Sequence, residues 1–176
     1  METKDQPRAG LSQPNRSSLF ACNGILEVMA ELNRGCDHDC MYSLEQLHGD
    51  LSLAEAVASH FQPQVGVGAE WTTEVGNSPR QDRATVRLDQ LQSDWRDVLE
   101  RSLASWFFAQ AYSPKTSEIN QANVIRGFLN HFSDVLQSSS IFDVTRPASM
   151  SSEVFWEGYA FTNNDSSFLL HFGFTD

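Results

Sequence analysis

The stretch Glu153–Asp176 reads EVFWEGYAFTNNDSSFLLHFGFTD, and its register decides how the chain ends. Turn chemistry is concentrated in Asn163, Asn164, Asp165 and Ser166. A two-residue turn at Asn164 and Asp165 pairs Phe161 with Phe168, Tyr159 with Leu170, Glu157 with Phe172 and Phe155 with Phe174. Directly opposed residues share a face of the sheet. Phe155, Tyr159, Phe161, Phe168, Leu170, Phe172 and Phe174 therefore gather on one side. A one-residue slip would scatter them over both. The spacing predicts a C-terminal β-hairpin whose aromatic face enters the core. The other face carries Trp156, Gly158, Ala160, Leu169, His171 and Gly173, too apolar to be fully solvated. It must be covered by a helix, or else be exposed and bind something.

Outward from the hairpin the period changes. Ile141–Val144 suits a short strand. Before it, Val124, Ile125, Phe128, Leu129, Phe132, Val135 and Leu136 make the stripe of a helix from about Ser117 to Gln137. A shorter helix capped by Ser93 presents Trp95, Val98, Leu99, Ser102, Leu103, Trp106 and Ala109 inward. The short loop between these two helices predicts an antiparallel pair. Val65–Val75 and Ala84–Leu88 alternate about the turn residues Asn77–Pro79, as a central hairpin would. Ser52 and Glu55 form a capping box that opens a helix through about Phe61, ended by Pro63. Tyr42–Leu47 can make a short helix. Leu19, Cys22, Leu26, Met29 and Leu32 mark a helix that starts at Ser17 or Ser18 and stops at Gly35. Residues 1–17, with Pro7 and Pro14 and no periodicity, read as a flexible tail. The expected organisation is a tail followed by one domain over 18–176. Its fold class is α+β, with helices packed on a small, mostly antiparallel sheet.

The 176 residues suffice for a sizeable core, and twelve Phe and four Trp supply it. No apolar run reaches the roughly 20 residues of a membrane span. The opening Met1-Glu2-Thr3-Lys4-Asp5 does not read as a signal peptide. Three cysteines, Cys22, Cys36 and Cys40, do not build a disulfide framework. A cytoplasmic location is expected.

The net charge is −11 and uneven. Glu27–Glu55 holds seven acids against Arg34 alone, and Asp134–Asp176 holds six against Arg146 alone. Those stretches contribute −6 and −5, the whole excess. Such a chain repels phosphates, which argues against direct nucleic-acid binding and against anionic membranes. It favours a basic protein partner.

Candidate chemistry centres on Cys36-Asp37-His38-Asp39-Cys40. Thiolate and imidazole are ligands that zinc prefers. If the segment is extended, Cys36, His38 and Cys40 point one way, and His48 or Cys22 could add a fourth ligand. The spacing is not the tight pair of most structural zinc sites. Read as a nucleophile, Cys40 or Cys36 would need His38 as base and Asp37 or Asp39 as orienter, yet sequence neighbours seldom meet as a triad. His171 could be a base in a shallow groove, though no partner is evident. Glu157 interrupts the aromatic face, so it either reaches solvent or pairs with an arginine such as Arg126 or Arg146. Phosphate loops and hydrolase elbows are absent from the sequence.

The expected function is a non-catalytic, acidic protein-binding domain, such as an inhibitor or immunity-type protein that neutralises a basic toxin enzyme. Asp37, Asp39, Asp50, Glu153, Glu157, Asp165, Trp156 and His171 are the expected contacts. No cofactor is expected. The alternative is a small zinc protein or enzyme built on Cys36, His38 and Cys40. The oligomeric state is left open.

Overall fold

A computed structural model describes residues 13–35, 39–47, 51–61, 86–91, 94–109, 115–137, 139–146, 153–163 and 166–175. The order of elements is α1 (Gln13–Asn33), β1 (Asp39–Leu47), α2 (Leu53–Phe61), β2 (Arg87–Gln90), α3 (Trp95–Phe108), α4 (Glu118–Leu136), β3 (Ile141–Thr145), β4 (Phe155–Asn163) and β5 (Ser166–Thr175). The strands form one antiparallel sheet in the order β1-β5-β4-β3-β2, an α+β fold.

The C-terminal hairpin has the register read from its aromatics. Phe161 faces Phe168, Tyr159 faces Leu170, Glu157 faces Phe172 and Phe155 faces Phe174. Five of the seven face residues are buried. Phe155 is 65% exposed and Phe174 only half-buried, because the strands run on past the helices that cover the rest. Inside the barrier of helices the rings interlock. Phe161 stacks on Phe168, Phe132 meets Phe161 edge-on, and Trp106 stacks on Phe172. Such geometries add to the area term of burial. Asn163, at the end of β4, donates to the Val135 carbonyl at 2.5 Å. That carbonyl lies in the last turn of α4, where no helical donor remains.

α1, α3 and α4 cover this aromatic face. The stripe of α4 is as the spacing predicts, with Phe128, Phe132, Val135 and Leu136 wholly buried. In α3 the cap is Asp94, whose carboxylate accepts from the Arg96 N–H at 2.9 Å. Ala109 is the exposed C-cap and Phe107 takes the buried place instead. α1 begins at Gln13, within the expected tail, and Pro14 falls in its first turn, where a missing N–H costs nothing. Ser18 is therefore inside the helix rather than its cap, and donates to Asp134 of α4 at 3.0 Å. Leu32, expected inward, is 49% exposed, and Asn33 is buried in its stead.

Tyr42–Leu47 belongs to β1, not to a helix. Tyr42 and Leu44 alternate with exposed or half-buried Met41, Ser43 and Glu45, so period two wins over the local helical signal. The capping box of α2 forms: the Ser52 N–H donates to Glu55 at 3.0 Å and the Glu55 N–H to the Ser52 hydroxyl at 3.4 Å. Of the expected strand Ala84–Leu88, Ala84 and Thr85 lie outside the described residues, and Arg87 and Leu88 fall in β2, which pairs with β3. The expected Val65–Val75 strand lies outside the described residues. α2 lies on the second face, over Leu169, Ala160 and Val144. No helix among the described residues is long and apolar enough to cross a membrane.

Candidate functional site

β1 is an edge strand, and α1 runs along its open side. The two are clamped by Asn23. Its side-chain amide donates to the Leu44 carbonyl and accepts from the Leu44 N–H, both at 2.8 Å. An amide placed this way imitates a further strand and blunts the edge. Beyond the clamp lies a groove of about 660 Å³. Glu27, Ala30, Glu31 and Arg34 of the α1 side face Cys40, Met41, Tyr42, Ser43 and Glu45, and His60 and His171 close its far end.

The groove is electrostatically one-sided. Arg34 is the one Lys or Arg among the described residues of its lining, and it is engaged at 2.9 Å by Glu31 and 3.0 Å by Asp39. Glu27, Glu31 and Glu45 all stand on exposed positions. His60 does not balance them. Burial holds its imidazolium below the ordinary histidine value, with Glu45 opposing, His171 reinforcing and Glu153 opposing. Its Nδ1 is 3.6 Å from Glu45, too long for a hydrogen bond. Outside the acids, Phe20, Gly24, Val28 and Leu32 recur every four residues along α1. Phe20 is 74% exposed and Val28 58%, and Met41 on β1 is 47% exposed. An exposed apolar row beside a carboxylate rim is thus built from one helix and one strand.

Behind the groove, under α2, lies a buried cluster of Arg146, Glu153 and His171. Arg146 Nη2 is 2.7 Å from Glu153 Oε2, and His171 Nε2 is 2.9 Å from Glu153 Oε1. Their side chains are 1%, 3% and 8% exposed. The Arg146 guanidinium lies 4.3 Å from the centre of the Trp156 ring and 4.9 Å from that of Phe61. Rings on which a guanidinium stacks lower the cost of its burial. Gly173 makes room: a β-carbon there would overlap the Glu153 carboxylate. His171 is the member that reaches the groove wall.

The residues named from sequence meet different fates. Asp39 is exposed and paired with Arg34. Glu153 is not a surface acid; it is consumed by Arg146 and His171. Trp156 is half-buried against Arg146, and His171 has the acid partner that was not evident from sequence. Glu157 pairs with no arginine among the described residues. It accepts from Trp106 Nε1 at 2.6 Å and from the Tyr159 hydroxyl. Arg146 cannot serve it, being engaged under α2 on the opposite face. Cys40 is buried and donates toward the Asn33 carbonyl at 3.5 Å. Burial raises its thiol above the ordinary value, which disfavours a nucleophilic thiolate. Cys22 is pushed up to about 12, first by burial and then by Asp134. Among the described residues no three His, Cys, Asp or Glu side chains gather as metal ligands. Cys36, Asp37, His38, His48, Asp50 and Asp165 lie outside the described residues.

Sequence reasoning missed the exposed row on α1 and the pairing of Arg146, Glu153 and His171. Phe20 and Val28, two turns apart and off the buried stripe, were its legible part, whereas the spacing places Leu32 within the stripe. For the charge cluster the one signal was Gly173 among bulky strand residues, a mark of close approach. No protein-family model matches the chain, and no curated protein or solved structure matches it either.

Proposed function

We infer that the domain is a non-catalytic protein-binding module that engages a basic partner through α1 and the edge of β1. An inhibitor or immunity-type protein, neutralising a basic enzyme such as a toxin, is the form that fits best. The observation that carries this reading is the exposed row of Phe20, Val28 and Leu32 running beside Glu27, Glu31 and the acid-rimmed groove. Interfaces draw affinity from a few apolar anchors, while complementary charge sets the rate and the choice of partner. Both ingredients adjoin here. The same carboxylates oppose a phosphate backbone, so the partner is read as protein rather than nucleic acid. Buried free thiols at Cys22 and Cys40 accord with a cytoplasmic setting.

The test is affinity capture from the native host with three baits. One is the natural chain. The second carries Glu27→Lys, Glu31→Lys and Glu45→Lys, and the third Phe20→Ala and Val28→Ala. All five positions are exposed, so the baits should fold alike. A basic protein held by the first bait and lost from both others is expected. Equal retention by all three, or retention of acidic proteins alone, would overturn the assignment.

A further inference from the structure

A second cavity, of about 380 Å³, opens where β4 and β5 outrun the helices. Ser105 and Trp106 of α3 line it with Phe155, Glu157 and Phe174 of the hairpin. Of the five described lining residues three are aromatic, and Phe155 is the most exposed ring of the three. Glu157 is the charged member. Its two oxygens accept from the Trp106 indole N–H and the Tyr159 hydroxyl, which fix the carboxylate in place without neutralising it. No Lys or Arg among the described residues pairs with it. Asp143, on the neighbouring strand β3, feels that uncompensated charge: its carboxyl is raised by burial first and by Glu157 next. A carboxylate can accept more than the two bonds it receives here.

A fixed negative charge between aromatic walls recognises one chemistry. Ring faces and a carboxylate both attract a cation, and the apolar walls favour one that carries carbon. The volume lies within the range of small-ligand pockets. We propose that this cavity is a binding site for a single organic cation, a guanidinium or alkylammonium head. The site is distinct from the groove: among the described residues the two share no lining residue.

The experiment is a titration of the full chain, followed at the indole N–H resonance of Trp106. The probes are butylguanidinium and tetramethylammonium chlorides, with sodium chloride at equal ionic strength as control. A saturable shift with the organic cations, and none with sodium, is expected. Glu157→Gln keeps the shape and should weaken binding by about tenfold or more, the scale of a desolvated cation–π and carboxylate contact. Phe155→Ala, at a position 65% exposed, should weaken tetramethylammonium severalfold. A shift that fails to saturate, that sodium reproduces, or that survives both substitutions overturns the proposal. A glycine-serine peptide with one central arginine separates the two sources of such a head. Tighter binding than butylguanidinium points to a partner's side chain, and equal or weaker binding to a free small molecule. Loss of groove binding leaves this titration unaffected.

Discussion

Every phenylalanine that is wholly buried among the described residues lies on the face of the sheet that α1, α3 and α4 cover. The opposite face, under α2, encloses the ion pair of Arg146 and Glu153, with His171 against the same carboxylate. The first face is closed by area. Each buried ring contributes about 1.5–3 kcal/mol, and no single contact is indispensable. The second is closed by a helix of nine residues over smaller side chains, with the gap filled by ions. Taking two charges from water costs several kcal/mol per ion, so such a cluster stabilises only as a complete set. One sheet is thus forgiving on one side and brittle on the other.

The largest expected effect is on the brittle side. Glu153→Ala strips Arg146 and His171 of their shared carboxylate and should cost about 3–5 kcal/mol in urea unfolding. Arg146→Met with Glu153→Leu should cost less than Glu153→Ala alone, since no ion is then left buried. A double variant worse than the single one would break the comparison. On the forgiving side, Phe128→Leu should cost about 1–1.5 kcal/mol by the same measurement, because neighbouring rings can settle around the gap. A loss as large as that of Glu153→Ala would erase the distinction between the faces.

Much of the aromatic face was legible in the sequence. Register alone paired Phe161 with Phe168 and Tyr159 with Leu170, since a period of two and a short turn leave no other way to gather the rings. The α4 stripe was as plain, because seven apolar positions at spacings of three and four admit one helix face. The second face was not. Its partners come from the residue after β3, a position just before β4 and the interior of β5, and nothing local ties Arg146 to Glu153 or to His171. The same blindness hid the partners of Glu157. Trp106 stands 51 positions away, and an indole donor leaves no charge pattern to read. Tyr42–Leu47 misled for the reverse reason: its local pattern suits a helix, and pairing with β5 overrides it.

Two smaller effects sharpen the picture of α2. Ser52→Ala removes the hydroxyl that accepts from the Glu55 N–H and donates to the Glu55 carboxylate, leaving the Ser52 N–H bond in place, and should cost about 1 kcal/mol by thermal or urea unfolding. A loss near zero would mean that α2 is held by packing alone. pH acts through His60. Burial, the largest influence on it, favours the neutral ring, so the folded chain holds fewer protons there than the unfolded chain. Stability from this position is therefore full above the ordinary histidine value of 6.5 and is lost as pH falls below it toward the depressed folded value. Unfolding curves across that range should lose part of their slope in His60→Gln. An unchanged slope would show that His60 titrates as it does in the unfolded chain.

The measurement that bears most directly on the role of the acid rim is the association rate of the captured basic partner, followed by stopped flow as salt is raised. For the natural chain the rate should fall steeply with ionic strength. With Glu27→Lys, Glu31→Lys and Glu45→Lys it should start about tenfold or more lower and depend less on salt. Equal rates and equal salt slopes for the two chains would contradict the account.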